Sequence, residues 1–376
     1  TLYQAISLGR LLGNHLIILE ALSHLAALLY QQGRLGEALS VCEQARSRYS
    51  EVRGNPLPMA GLVYVSLGFL YYETDDLARA YHHLTTGITL CQQMGIIYPA
   101  LWGQCTLARL HYARGEVEAA WETLASARQL ATRAVNPWRP HLVTAVTAEL
   151  QLRQGQIAAA ALTLAELPVN AGDRFQNENM VFVRLLLAQG QASVAQDLLR
   201  SLEEVAQQQG RCGNLITIYL LQALAHRALN NSTAAFEYLE GAIRLAAPEG
   251  YRRIFLDEDP SLAALLRERQ DLAPEFVSGL LKAIPACPAL HNDDSAVVVP
   301  ESKPNQRRPQ PLIEPLSETQ LMILHLVADG LSNRNIAAKL EITVGTTKWH
   351  LNQIYGKLNV SSRTQAVAQA RLLKLL

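Results

Sequence analysis

The stretch Gly33-Arg34-Leu35-Gly36-Glu37-Ala38-Leu39 decides the fold, because it recurs. Counterparts begin at Asp75, Gly115, Gly155, Gly190 and Asn230, so that successive starts lie 42, 40, 40, 35 and 40 residues apart. Five residues after each start stands an alanine: Ala38, Ala80, Ala120, Ala160, Ala195 and Ala235. Around it apolar residues run at i, i+3, i+4 and i+7, as in Leu35, Ala38, Leu39 and Cys42, or Leu77, Ala80, Tyr81 and Leu84. That spacing is one face of a helix. An apolar helical segment precedes each start, for example Leu25-Ala26-Ala27-Leu28-Leu29-Tyr30. The unit is therefore helix, Gly/Asx turn, helix, with the turn residue supplying the left-handed conformation that ends the first helix. The small alanine lets the second helix approach closely. One hairpin cannot bury its stripe alone, so neighbours must stack into a solenoid. A period nearer 40 than the 34 residues of a tetratricopeptide repeat makes the array TPR-like.

Composition agrees with an all-α fold. Of 376 residues 49% are hydrophobic, 18% charged and only 6% aromatic, and Leu and Ala dominate. The 33 Lys+Arg balance 33 Asp+Glu, but the zero hides a division. From Glu301 onward ten basic residues face five acidic ones, a net of +5, leaving 23 against 28 and a net of −5 in residues 1–300. An acidic body with a basic tail predicts a polyanionic partner for the tail alone. No run of 18 apolar residues escapes a charge or polar break, so no membrane span is expected. The chain opens Thr-Leu-Tyr-Gln without Met or signal-peptide pattern and is expected to begin inside a longer polypeptide. Five scattered cysteines (Cys42, Cys91, Cys105, Cys212, Cys287) form no CxxC pair and read as buried free thiols of a cytoplasmic protein.

The array, residues 1–247, gives way at Pro248-Glu249-Gly250-Tyr251-Arg252-Arg253-Ile254-Phe255-Leu256-Asp257-Glu258 to array-terminating helices within 248–284. Residues 285–315 read as a linker, since Pro285, Pro288, Pro300, Pro304, Pro309, Pro311 and Pro315 break any helix. Residues 316–376 form the last domain. There Ser317 and Gln320 make a capping box for a helix over about 318–329, closed by Gly330. Ser332 caps a second helix with Ile336, Ala337 and Leu340 on its inner face, and Thr343 caps a third running to about Leu358. Ser362 with Gln365 caps a fourth. Four helices, the second and third joined by a tight turn, describe a helix-turn-helix domain.

On these residues the C-terminal stretch resembles the LuxR-type DNA-binding domain. The matching pieces are Leu331-Ser332-Asn333, Ile336-Ala337-Ala338-Lys339-Leu340, Thr346-Thr347-Lys348-Trp349-His350-Leu351, Ile354-Tyr355-Gly356-Lys357-Leu358 and Ser362-Arg363-Thr364-Gln365-Ala366-Val367. Together with the Pro-Glu-Gly-Tyr segment and the array, they resemble the C-terminal part of the MalT-like large ATP-binding LuxR-family regulators. The match covers nearly the whole chain, closely at its C-terminus and loosely over the repeats. Such regulators carry a nucleotide-binding domain ahead of the repeats. No GxxxxGK[ST] loop occurs here, so no cofactor is expected in this chain and ATP belongs only to a domain N-terminal to it.

The resemblance assigns base contacts to Lys348, Trp349 and Asn352 on one face of the third helix. Lys348 can donate to guanine O6/N7, Asn352 can pair with adenine, and Trp349 can pack on a thymine methyl or serve as a half-buried anchor. Asn333, Thr346, Lys357 and Arg363 are candidates for the DNA backbone, with a structural ion pair as the alternative role of Arg363. His350 reads as a packed structural histidine. Asn335 stands where the family usually has an acid, and Thr347 where it has Val.

Neither Asp257-Glu258-Asp259 nor His291-Asn292-Asp293-Asp294 has paired ligands at metal-site spacing, and His82-His83 reads as a solvated pair on the outer side of its helix. No catalytic motif appears, so no enzyme activity is expected. The reading is a cytoplasmic bacterial transcription regulator, an activator by resemblance. Its partners would be double-stranded promoter DNA, RNA polymerase and a small-molecule or protein inducer on the concave face of the array. A single helix-turn-helix covers one half-site, so a dimer or oligomer is expected on DNA. Two rivals are an interaction scaffold with a degenerate helix-turn-helix and a sigma-like polymerase-binding factor; retained Lys348 and Lys357 weigh against the first, and the lack of a sigma-type helical core against the second.

Overall fold

In the computed structural model of the chain, the described residues are 1–49, 51–52, 55–133, 140–167, 176–284, 316–328, 331–340, 342–343, 346–347, 350–351, 353–354, 366, 370 and 375. The expected linker 285–315 and most of the expected third and fourth helices of the last domain lie outside them. The chain divides into two units. One comprises Thr1–Leu167 and Gln176–Ile284; the described residues of the other begin at Leu316.

Among the described residues the first unit contains six helical hairpins. They pair α2 (His15–Gln31) with α3 (Leu35–Tyr49), α4 (Gly61–Glu73) with α5 (Leu77–Gln93), and α6 (Ile97–Ala113) with α7 (Val117–Ala131). Next come α8 (Pro140–Arg153) with α9 (Ile157–Ala165), α10 (Gln176–Ala188) with α11 (Ala192–Gln208), and α12 (Cys212–Ala228) with α13 (Ser232–Ala246). Helix α1 (Leu2–Leu11) precedes the first hairpin, and α14 (Arg253–Leu256), α15 (Ser261–Glu268) and α16 (Pro274–Ala283) follow the last. The only strands among the described residues are a two-residue antiparallel pair, Glu51–Val52 with Asn55–Pro56, after α3. No described helix is long and apolar enough to cross a membrane.

Every repeat turn is built the same way. Gly33, Asp75, Gly115, Gly155, Gly190 and Asn230 all have positive φ, between 58° and 80°. The amide after each bonds back five residues, as in Arg34 N–H to Leu29 O (2.9 Å) and Asn231 N–H to His226 O (2.9 Å). This closure of the last turn satisfies carbonyls that a helix end would leave open. The repeat alanine then donates the i to i−4 bond that opens the second helix, as from Ala38 to Arg34 O at 3.0 Å. All six repeat alanines are fully buried.

The buried stripe differs in one respect from the expected pattern. It runs through the alanine and the position four beyond it, Cys42, Leu84, Leu124, Leu164, Leu199 and Leu239. The position directly after the alanine lies at the margin, and Tyr81 there is 39% exposed. The Tyr81 ring instead meets the edge of His111 at 5.9 Å and carries the Arg114 guanidinium at 4.9 Å. Where two helices come closest, even alanine is too large. A Cβ on Gly87 of α5 would stand 2.6 Å from the Val65 nitrogen of α4.

The first helices of the hairpins pack against one another in the order α2, α4, α6, α8, α10, α12, and α12 then returns to α2. Each is flanked by its own partner and by neighbours, which is why α4 buries residues on all sides, from Val63 to Glu73. The return contact is tight: a Cβ on Gly33 would lie 3.1 Å from the Cys212 Cβ.

In the second unit, α17 (Glu318–Ala328) and α18 (Asn333–Lys339) pack around Ile323, Leu324, Val327, Ile336, Leu351 and Ile354. Ala366 and Ala370 complete this core.

Candidate functional site

The helix-turn-helix unit is set by hydroxyl caps. Ser317 and Gln320 form the expected reciprocal box, with Ser317 N–H donating to Gln320 Oε1 (3.0 Å) and Gln320 N–H to Ser317 Oγ (3.3 Å). Ser332 Oγ accepts from Asn335 N–H at 3.2 Å and starts α18. After α18, Ile342 N–H returns to Ala337 O (2.9 Å), and Thr343 Oγ1 accepts from Thr346 N–H (3.0 Å) to start a further helical turn. Gly330, expected to close α17, lies outside the described residues, although Leu331 N–H does bond back to Leu326 O at 3.1 Å.

Thr347, His350, Leu351 and Ile354 are all buried, at i, i+3, i+4 and i+7. His350 is 4% exposed, and burial pushes its imidazole down to about 4, so it is a neutral core group at ordinary pH. Of the residues assigned to DNA, Asn333 is the half-buried first residue of α18. Thr346 is half-buried, its amide taken by the Thr343 cap and its hydroxyl 2.8 Å from that of Thr343. Lys348, Trp349, Asn352, Lys357 and Arg363 lie outside the described residues.

The repeat unit holds a second constellation that the sequence reading passed over. The segment from Glu249 to Glu258 docks on four hairpins. Glu249 accepts from the Gly36 amide (3.1 Å), Tyr251 donates its hydroxyl to Tyr30 O (2.8 Å), and the Arg252 amide donates to Glu73 O (2.9 Å). Arg253 donates to Asp75 Oδ1 (3.1 Å) and pairs with Asp257. Asp257 also accepts from Tyr72 Oη (2.5 Å) and from Arg153 (2.8 Å), while Glu258 pairs with Arg184 through both carboxylate oxygens. Beside them Arg109 clasps Glu149, with its Nη2 2.7 Å from Oε2.

Burial alone would raise the Asp257 carboxyl, but Arg153 and Arg253 outweigh it and hold the group below the usual range. Glu73 goes the other way. It is 8% exposed, its Oε2 has no hydrogen-bond partner, and burial together with the Asp257 charge pushes it up to about 8. The acids of Asp257-Glu258 are thus committed to arginines and the Tyr72 hydroxyl. One signal for this network was present in the sequence. Arg109, Glu149 and Arg184 stand six residues before their turn residue, and Glu73 and Arg153 two before theirs, in otherwise apolar helices.

Two further side-chain readings resolve. His83 is not solvated: it is 7% exposed, stacked on the Tyr71 ring at 5.4 Å, and pushed down to about 4 by burial, while His82 is exposed. Cys42, Cys91 and Cys105 are buried free thiols raised by burial to about 12, and Cys212 is free and half-buried. Cys287 and the His291 cluster lie outside the described residues.

Comparison with known proteins adds the context of these two units. Residues 1–272 match the model of the MalT-like TPR region, and residues 314–370 match that of the bacterial regulatory proteins of the luxR family. The chain is 26% identical over 377 residues to the HTH-type transcriptional regulator MalT of Serratia proteamaculans, covering 95% of this chain and 41% of that protein. It is 25% identical over 348 residues to a putative HTH-type transcriptional regulator of Mycobacterium tuberculosis, covering 90% and 37%. The C-terminal unit alone is 46% identical over 57 residues to the regulator AlkS of Alcanivorax borkumensis, 15% of this chain and 6% of that protein. The chain therefore spans about two-fifths of the length of the relatives it matches most extensively.

Proposed function

The chain belongs to the family of the MalT-like TPR region, and from that premise we propose that it acts as a DNA-binding transcription regulator of the LuxR kind. In this reading the repeat array receives a small-molecule or protein inducer, and the C-terminal unit binds promoter DNA as a dimer or oligomer and activates RNA polymerase. The observation that carries it is the buried set Thr347, His350, Leu351 and Ile354 behind the Thr343 cap. In a helical period, positions 348, 349 and 352 fall opposite that set. This supports Lys348, Trp349 and Asn352 as the base-reading side chains, with Asn333, Thr346, Lys357 and Arg363 toward the phosphates. The Thr346 amide is held by the Thr343 cap, and the Thr346 hydroxyl can donate to a phosphate when Thr343 is the donor of the bond between the two hydroxyls.

The test is selection of bound fragments from sheared genomic DNA of the source organism, followed by affinity measurement on the enriched site. Native chain should bind with an affinity that falls steeply with salt. Lys348→Glu should weaken specific binding by about 100-fold, since a base pair contact is worth roughly 1–3 kcal/mol and the reversed charge adds repulsion. Unchanged affinity in Lys348→Glu sinks the assigned face; failure to enrich any fragment sinks the regulator reading.

A further inference from the structure

The docked segment 249–258 is bound by a different logic from the hairpins around it. Hairpins hold their neighbours chiefly through apolar stripes, joined between the third and fourth by the Arg109–Glu149 clasp, in contacts of short sequence separation. The segment reaches across the closed series of first helices, through polar groups 74 to 221 residues away. The array supplies the cations, Arg153 and Arg184, and the segment supplies the anions, Asp257 and Glu258. Arg253 returns one pair in the opposite sense to Asp75.

This docking carries unsatisfied groups. Glu73 Oε2, Arg153 Nη1 and Arg253 Nε are buried without hydrogen-bond partners. Buried ion pairs are a weak source of net stability, because desolvation offsets most of the attraction, and orphaned polar atoms add a further penalty. The apolar anchor of the segment packs in part against α16, on its own side of the docked surface. The Phe255 ring packs on Phe276 of α16, an edge-to-face contact at 5.5 Å that α14–α16 retain if they move together.

We propose that residues 249–258 are a releasable latch, an acidic peptide ligand that the chain supplies to its own array. The site on the array consists of Arg153 and Arg184 with the Tyr72 hydroxyl, and the chemistry it takes is a pair of adjacent carboxylates preceded by an aromatic residue. Tethering gives the resident segment a high effective concentration, so an outside acidic peptide enters only when the resident is weakened. Opening leaves each hairpin with its own partner and its stripe, and it moves α14–α16 with the segment.

Two measurements on the full chain decide this. In native-state hydrogen exchange, amides of 250–258 should open at least tenfold more often than those of α6 and α8, with a weaker dependence on urea, as a sub-global unit does. Exchange of the segment only together with α6 and α8 overturns the latch. In the second, a labelled synthetic peptide of residues 249–259 is titrated into native chain and into the Asp257→Asn, Glu258→Gln variant. The variant should bind it at least tenfold more tightly than the native chain, and adding Arg184→Glu should abolish that binding. A variant with native circular dichroism that takes up no peptide overturns the proposal. Should the variant not fold, the exchange result on the native chain stands alone as the deciding measurement.

Discussion

The two units start their helices by different means. In the array the second helix of each hairpin begins where the first ends, and the turn itself sets the geometry. Glu116, Gln156 and Gln191 stand at such starts and none caps with its side chain, though Asp76 and Asn231 do. In the helix-turn-helix unit, connections carry Ser317, Ser332 and Thr343, and each hydroxyl accepts an orphan amide. A positive-φ turn fixes an angle and can be repeated with the same result, which suits a superhelix. A hydroxyl cap fixes only where a helix starts, and leaves its direction to the core beneath. The cores differ likewise. The array encloses an ionic axis, whereas the smaller unit buries an apolar core with Gln320, Thr347 and His350 as its buried polar groups among the described residues.

Three perturbations set this contrast against measurement. The largest effect is expected from Arg109→Ala, which strands the Glu149 carboxylate in a buried site. Removing one member of such a pair costs about 3–5 kcal/mol. Urea unfolding followed by circular dichroism should show the array transition shifted and the helix-turn-helix transition unmoved; a shift in both would mean the units do not unfold separately.

Next comes pH. Glu73 has an ordinary value of 4.5 and stands at about 8 in the folded array, facing Asp257, Arg109, Arg253, Glu149 and Tyr30. The folded state therefore holds the extra proton, and stability falls as pH rises from 4.5 through about 8, by a few kcal/mol. His83 contributes the opposite slope, since its folded value of about 4 lies below 6.5 and its stabilisation is lost as pH falls between them. The clean window for Glu73 is thus 6.5 to 8. Glu73→Gln should flatten the array's stability there, and a native slope persisting in that variant would assign the proton elsewhere. His350 should weaken the helix-turn-helix unit as pH falls below 6.5.

The smallest effect is Ser317→Ala, worth about 1 kcal/mol through the lost cap. It should lower the midpoint of the small unit alone. An equal loss in the array transition would contradict the division into two units.

The parts of this fold legible in the sequence are those that repeat at fixed spacing. The six turn residues and the six alanines, read from their recurrence, each adopt the conformation and burial their chemistry demands. Ser317, Ser332 and Thr343 were equally legible, because capping depends on residues within three positions. Tyr81 was misplaced because a 3.6-residue period gives the centre of a stripe better than its margin. His83 was misplaced because its burial comes from Tyr64 and Tyr71 of the preceding helix rather than from its own. The ionic axis stayed hidden for a related reason. Asp257 meets Tyr72 across 185 residues, and no local pattern couples two positions so far apart.

The return of α12 to α2 has a consequence for copy number. An open stack of hairpins can gain or lose a member at little expense, since each touches only its neighbours. Here the Gly33 turn sits against Cys212, and Tyr251 reaches back to Tyr30. A seventh hairpin spliced between the third and fourth would force those partners apart by a full repeat. Within the described residues the closure ties the first hairpin to the sixth, so an insertion between them is a change to the whole ring of contacts rather than to one link.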